Sequence, residues 1–392
     1  MRCASCGAQN NASDRFCTRC GALLSPAPAA GQAPSPEPPA PQAPARHLHP
    51  RESALRAAER RLERLAGTQD LEGFSLRDMF GEVFMRRSSE ELDEYLVVGT
   101  AQTTPDPRDL KPAWPKPWLF ARVLLFVALL YGGLAYAVFN FGNIYAVPGM
   151  LMLGALAVPL ATLILFYELN VPRNVPLYTT LMLMAFGGVF SIIVALFGYK
   201  LSNLGWLGAS SAGIVEESGK LLVVALLMRQ ARYPYILNGL LFGAAVGAGF
   251  AWFESGGYAF DLLLKTQSLI AAAHETQVRA LLSPFAHVAW TAIAAGALWR
   301  AKGAAPMTIR PFLNGGFWKA FLIPVVLHML WNSPLPAVLD FKFLTIGVIA
   351  WFVVFGLVQQ GLWQIRDVQR VPGPENQSLT AAAATAVPGG GA

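Results

Sequence analysis

The chain has 392 residues, of which 54% are hydrophobic and 14% charged, against about 25% charged in a typical soluble domain. Its whole net charge of +6 lies in the apolar block 118–363, where short basic loops orient membrane helices. This composition excludes an ordinary soluble enzyme and argues against nucleic acid as a partner.

All four cysteines lie within the first 20 residues, as the pairs Cys3-x-x-Cys6 and Cys17-x-x-Cys20. Each CxxC turn can direct two thiolates at one tetrahedral ion, and a unit this small depends on metal for its fold. The spacing predicts a zinc ribbon over residues 1–24 with a structural Zn²⁺. Two disulfides are the alternative, and they would require an oxidising compartment.

Residues 25–50 are rich in Pro and Ala, which predicts a disordered, extended linker. Residues 51–117 have leucines at helical spacing, a capping box formed by Ser88 and Glu91, and a Pro-rich lead-in. We expect cytoplasmic amphipathic helices there. The Ala- and Gly-rich tail 364–392 is predicted to be disordered.

The block 118–363 contains eight apolar segments near the length of about 20 residues that a spanning helix needs. They run approximately over Trp118–Asn140, Val147–Tyr167, Leu177–Tyr199, Leu207–Met228, Ile236–Gly256, Pro284–Trp299, Phe317–Asn332 and Phe341–Trp363. The predicted fold is therefore an all-α, multi-pass core of eight transmembrane helices in a lipid bilayer.

Basic residues indicate how these spans are oriented. With the N-terminus inside, twelve Lys and Arg residues fall on the cytoplasmic side and four fall outside. The cytoplasmic set is Lys111, Lys116, Arg122, Arg173, Arg229, Arg232, Arg300, Lys302, Arg310, Lys319, Arg366 and Arg370; the outer set is Lys200, Lys265, Arg279 and Lys342. Both termini are predicted to be cytoplasmic.

Several spans carry ionisable or amide side chains, which are costly in a membrane and are therefore functional candidates. They are Glu216, Glu217 and Lys220 on the fourth span, Glu254 on the fifth, His287 on the sixth, and His328 and Asn332 on the seventh. In the predicted topology these positions approach one another in the outer half of the membrane. Glu168, near the inner end of the second span, is expected at the interface.

Local spacing adds chemistry to this set. Glu216 and Glu217 lie four and three residues before Lys220, so one ammonium can neutralise either carboxylate. His328 and Asn332 share a helical face and can donate two N–H groups to one oxyanion. Glycines at four-residue spacing on the fifth span allow a neighbouring helix to approach closely. These glycines are Gly239, Gly243 and Gly247.

Four motifs on successive helices resemble the PrsW membrane proteases, in the superfamily that includes the type II CAAX prenyl proteases. The motifs are Glu216-Glu217-x-x-Lys220, Phe250-x-x-x-Glu254, His287 and His328-x-x-x-Asn332. The resemblance implies a hydrolase of the bacterial inner membrane, an endopeptidase that cuts a membrane-anchored protein such as an anti-sigma factor in regulated intramembrane proteolysis. It also implies that Glu216 activates water and that His328 and Asn332 hold the oxyanion.

The sequence leaves two chemistries open. Glu216 acts as a metal-free general base, or Glu216, Glu254, His287 and His328 bind a divalent metal that activates water. Two non-enzymatic alternatives are a proton-coupled membrane transporter and a non-catalytic membrane signalling protein whose polar residues fix helix register. The CAAX relatives have Arg and His where this chain has Lys220 and Glu254, so prenylated substrates are not implied.

Overall fold

The computed structural model describes residues 74–100, 102–335 and 341–370, together with residue 9. The chain divides into two units, Met1–Pro50 and Arg51–Ala392, and every helix described below lies in the second. Apart from residue 9, four predicted parts of the chain lie outside the described residues. They are the zinc ribbon, the Pro/Ala linker, the leucine-rich helices before residue 74 and the tail after residue 370. Within the described part from residue 74 onward, every regular element is a helix, which confirms the all-α class.

Eleven helices are used in the description that follows. They are α1 (Leu76–Met79), α2 (Ser89–Leu96), α3 (Leu119–Phe141), α4 (Val147–Leu169), α5 (Leu177–Leu201), α6 (Ser211–Leu227), α7 (Ile236–Thr266), α8 (Leu269–Leu282), α9 (His287–Lys302), α10 (Gly315–Trp331) and α11 (Phe341–Arg370). Helix α5 contains one π-helical turn, Leu183–Gly187. A 3₁₀ turn, Ser283–Phe285, joins α8 to α9.

Each predicted span coincides with a helix, and the chain is a multi-pass membrane protein. Among the described residues, six helical segments are long and apolar enough to cross a membrane, with α8 and α9 counted together as Leu269–Lys302. Helices α6 and α10 have 17 residues each, about 26 Å at 1.5 Å per residue. The predicted number of eight crossings is therefore not confirmed.

Helix α7 forms the centre of the bundle and packs against α4, α5, α9 and α11. In the most apolar stretch of α7, 89% of the residues are buried within the protein, whereas the corresponding share in α3 is 11%. Helix α3 instead presents large apolar side chains such as Leu125, Phe126 and Leu129 to its surroundings. A side chain on α7 can therefore reach several neighbouring helices, whereas most of the α3 surface faces lipid.

The predicted glycine stripe of α7 faces α9. A Cβ atom added to Gly243 would lie 2.2 Å from the carbonyl oxygen of Thr291, and one added to Gly247 would lie 2.4 Å from that of His287. Both separations are shorter than any real contact, so only glycine lets the two helices pack this closely. The close helix approach expected from the spacing is confirmed, and it places His287 directly beside α7.

Two capping arrangements order the segment before the bundle. The capping box predicted from Ser88 and Glu91 is present at the start of α2: Ser88 Oγ accepts from the Glu91 amide at 3.1 Å, and Glu91 Oε2 accepts from the Ser88 amide at 3.0 Å. The Trp118 side chain makes no cap at the start of α3. A side chain from another helix caps α3 instead.

That side chain is Glu168, near the end of α4. Its carboxylate accepts from the backbone N–H groups of Trp118, Leu119 and Phe120 at 2.7, 2.8 and 2.9 Å, and Tyr95 Oη donates to it at 3.3 Å. Glu168 is only 6% exposed. The free N–H groups of a helix start are a strong site for a carboxylate, which explains why Glu168 is buried within the protein. Its position at the membrane interface stays a prediction.

Candidate active site

Helix α6 carries three of the predicted site residues and packs closely against α10. Glu217 and Lys220 are fully buried, and Glu216 is 6% exposed. A Cβ on Gly213, one turn before Glu216, would lie 2.5 Å from the carbonyl oxygen of Val325 on α10. This close contact brings the acidic pair of α6 to the C-terminal part of α10, where His328 lies.

The Lys220 ammonium lies at the centre of the cluster. Its Nζ donates to Glu217 Oε1 at 2.8 Å and to Glu216 Oε2 at 3.4 Å, so both ion pairs expected from the helical spacing are present. Nζ is also 2.8 Å from His287 Nδ1 and 3.9 Å from the centre of the Phe250 ring. A fully buried cation requires such partners, and here they come from three helices.

His328 is held by a carboxylate and an aromatic ring. Its Nδ1 donates to Glu217 Oε1 at 3.0 Å, and its ring stacks on Trp290 with centroids 4.4 Å apart. Thr291 Oγ1 donates to the other oxygen of Glu217 at 3.3 Å. With the ring proton on Nδ1, Nε2 of a neutral imidazole carries a lone pair, and it lies 3.9 Å from Glu216 Oε2.

His287 connects the cluster to α7 and α8. Its Nε2 lies 3.0 Å from Glu254 Oε2, and Arg279 Nη2 of α8 donates to the same oxygen at 2.6 Å. Arg279 Nε also reaches Ser255 Oγ at 3.3 Å. Glu254 therefore accepts hydrogen bonds from both sides, and it orients His287 through the ring nitrogen farther from Lys220.

Three side chains have the separation and the chemistry of a metal site. One ligand atom from each of Glu216, His287 and His328 lies within 4.8 Å of the other two. Two imidazoles and one carboxylate are a common protein ligand set for catalytic zinc. Glu254, which the sequence also offered as a ligand, is not in this group. It binds Nε2 of His287 and leaves Nδ1 to face the cluster, as carboxylates that orient metal-binding histidines do.

Six of the seven predicted site residues thus form one network of side chains. They are Glu216, Glu217, Lys220, Glu254, His287 and His328. Asn332 follows α10 directly, and its backbone N–H donates to His328 O at 3.1 Å. Its side chain makes no hydrogen bond to another described residue, so the structure does not join it to the network.

Three residues of the network escaped the sequence argument. Tyr199 Oη, at the end of α5, donates to Glu216 Oε1 at 2.8 Å, and the tyrosine is 40% exposed. Thr291 lies one turn after His287, so helical spacing from that histidine was the available signal for it. Arg279 lies on an amphipathic segment outside the predicted spans, and nothing in the sequence pairs it with Glu254.

The order of the motifs and this geometry agree with the comparisons. The sequence model of the PrsW family intramembrane metalloprotease matches residues 134–358, and that of a zinc-ribbon domain matches residues 2–24. No curated protein and no solved structure matches the chain. Because the first match covers more than half of the sequence and contains every residue of the buried network, the chain belongs to the PrsW family of intramembrane metalloproteases.

Proposed function

We propose that this protease cuts a single-span membrane protein, such as an anti-sigma factor, in the outer half of a bacterial inner membrane. The observation that carries the proposal is the buried cluster in which Glu216, His287 and His328 converge on one point. Peptide hydrolysis needs an activated water and a stabilised oxyanion. A set of carboxylates and imidazoles from four helices can supply both.

Glu216 is the proposed proton acceptor for the attacking water. Of the two carboxylates beside Lys220 it is the less buried one, and its Oε1 accepts from Tyr199, the most exposed member of the network. Glu216 is therefore the carboxylate of the pair that lies nearer to the protein surface, on the side of α5. Glu217 is fully enclosed between Lys220, His328 and Thr291, so we assign it to positioning.

Glu216, His287 and His328 would hold a divalent metal, with Glu217 behind His328 and Glu254 behind His287 as supporting carboxylates. Such a metal, when bound, supplies Lewis acidity, which makes water a stronger acid and polarises a carbonyl oxygen. In that state Glu216 acts as a ligand. Without it, Glu216 is the general base, and the proposed donors to the oxyanion are Asn332 and His328, the latter as an imidazolium that carries a proton on Nε2 as well as on Nδ1.

In the proposed orientation the site lies in the outer half of the membrane. Helix α9 begins at His287 and ends with Arg300 and Lys302, so the basic end of this helix is opposite to the cluster. Basic residues favour the cytoplasmic side. This pattern supports cytoplasmic termini and cleavage in the outer half of the membrane.

We assign the zinc ribbon and its linker, residues 1–50, to regulation. The proposed units are a cytoplasmic zinc ribbon at 1–24, a linker at 25–50, helices and a lead-in at 51–117, the protease core at 118–363 and a tail at 364–392. The zinc-ribbon match at residues 2–24 supports the first of these. All seven predicted site residues lie in the core, so deletion of residues 1–50 should leave cleavage by the purified core intact.

The proposal is tested by cleavage in defined vesicles. The full chain and a Glu216→Gln variant are each reconstituted with a single-span anti-sigma factor tagged at both ends, and mass spectrometry locates the cut. We expect one cut in the outer half of the substrate helix, made by the parent only. Cleavage by both proteins, or a cut in the cytoplasmic half, would contradict the proposal.

A further inference from the structure

Lys220 lies among the atoms that a metal would need. Its Nζ is 2.8 Å from His287 Nδ1 and 3.4 Å from Glu216 Oε2, and both residues belong to the three-residue ligand set. It is also 2.8 Å from Glu217 Oε1, the oxygen that holds the third ligand, His328. The ammonium therefore contacts two of the three ligands and the support of the third.

The contact with His287 has a consequence for ligation. An ammonium group has only donors, so Nδ1 of His287 must accept the hydrogen bond from Lys220. The ring proton of a neutral His287 is then on Nε2, where Glu254 accepts it at 3.0 Å. Both nitrogens are occupied in this arrangement. With Glu254 still bound to Nε2, His287 can bind a metal through Nδ1 only after the Lys220 hydrogen bond breaks.

The surroundings of Lys220 supply the partners that a buried ammonium needs. The side chain is fully buried, and its Nζ lies 3.9 Å from the centre of the Phe250 ring, a distance typical of a cation–π contact. Two carboxylates on the same helix, at the third and fourth positions before it, complete the shell. The site thus contains a cation tethered to its own helix.

We propose that the Lys220 ammonium and a divalent metal compete for this ligand set, and that Lys220 thereby limits the affinity of the site for metal. The tethered cation neutralises the carboxylates and keeps the ligands together when no metal is bound. Metal binding requires the ammonium to leave His287 and Glu216. This inference rests on the proposed active site, and it concerns how that site is loaded.

The test is the zinc content of the purified full chain after equilibrium dialysis against buffered Zn²⁺. Every variant keeps the four cysteines, so differences between variants report metal held elsewhere. Lys220→Met should bind one additional Zn²⁺ per chain at least about tenfold more tightly than the parent, the scale on which neighbours of ligands change metal affinity. Lys265→Met is the matched control, since Lys265 is exposed and paired with Asp261 at 2.7 Å on α7.

Two further variants keep the test decisive if Lys220→Met does not fold. Lys220→Arg keeps the positive charge and should bind zinc as weakly as the parent. Phe250→Leu removes only the ring beneath the ammonium and should raise the zinc affinity by a few fold. Unchanged zinc affinity in Phe250→Leu, together with unchanged affinity in any folded Lys220→Met protein, would overturn the proposal.

Failure of this inference is distinguishable from failure of the proposed function. If Glu216→Gln cleaves substrate like the parent, the assignment of the active site falls, whatever the zinc data show. If cleavage depends on Glu216 but zinc affinity does not depend on Lys220, the proposed competition between Lys220 and metal is overturned, and the proposed function is not. A Glu216→Gln, Lys220→Met double variant should lose the additional zinc, because it lacks one ligand.

Discussion

Glu168 on α4 and Glu216 on α6 are both buried carboxylates on membrane helices, yet they are stabilised by different kinds of groups. Three backbone N–H groups at the start of α3 bind Glu168, and they cannot change protonation or move without unwinding the helix. Glu216 is bound by the side chains of Tyr199 and Lys220, and the imidazole of His328 lies nearby. Backbone partners indicate a structural role for Glu168, whereas the partners of Glu216 are side chains that can move or exchange protons, as its proposed role requires.

The largest expected effect is on cleavage by Glu216→Gln. Glutamine keeps the size of the side chain and removes its basicity and charge, so the rate should fall by more than about 100-fold, the lower range for loss of a general base. The variant should stay folded, because the amide oxygen can still accept from Tyr199 and Lys220 keeps its shorter ion pair with Glu217. Asp261→Asn, an exposed carboxylate change on α7, is the control and should cleave normally.

The opposite result is expected for Glu168→Gln. The amide oxygen can still accept from Trp118 and Leu119, but the new NH2 group would face the N–H of Phe120, and an unsatisfied buried donor costs about 1–3 kcal/mol. The free energy of unfolding in detergent should fall by that amount, while the rate of cleavage per folded molecule stays unchanged. If cleavage fell more than stability, Glu168 would not be purely structural, and the distinction between the two carboxylates would fail.

A tyrosine contacts each carboxylate, so one chemical change can be made at both. Tyr199→Phe removes the donor to Glu216 and should lower kcat by about tenfold, the effect of losing about 1.4 kcal/mol from the transition state. KM and melting temperature should stay constant, since the phenyl ring is retained. A raised KM with unchanged kcat would assign Tyr199 to substrate binding instead.

The smallest effect is expected for Tyr95→Phe at the structural carboxylate. Tyr95 Oη donates to Glu168 at 3.3 Å, which is longer than the three backbone hydrogen bonds. Its loss should reduce the free energy of unfolding by about 0.5–1.5 kcal/mol, the net value of one hydrogen bond. Neither kcat nor KM should change, and a kcat effect equal to that of Tyr199→Phe would contradict the comparison.

The sequence predicted the helices and the convergence of the motifs because both depend on periodic properties. Apolar runs predict the spans, and three- and four-residue spacing predicts the contacts of Glu216 and Glu217 with Lys220. The distribution of basic residues was independent of those motifs, yet it led to the same clustering at one end of the bundle. These predictions required no knowledge of how each helix is rotated about its axis.

The residues that were missed depend on that rotation. Tyr199 reaches Glu216 only because α5 turns that face toward α6, and Arg279 reaches Glu254 only because α8 packs against α7. The burial of Glu168 within the protein could not be predicted for the same reason. Hydropathy places it near a helix end, but it does not reveal which helix start lies opposite.

The close contact between α7 and α9 separates the site into two parts. One part is carried by α7 and α9 together, and the other by α6. Because backbone meets glycine there, no side-chain rotamer change can loosen that contact, so we expect α7 and α9, which carry Glu254 and His287, to move as one block. Glu216 and Lys220 belong to α6, outside the block. We therefore expect admission of a polypeptide to separate α6 from the block and to break the Lys220–His287 contact. Distances between spin labels on α6 and α9, with and without substrate, would measure this opening, and unchanged distances would contradict it.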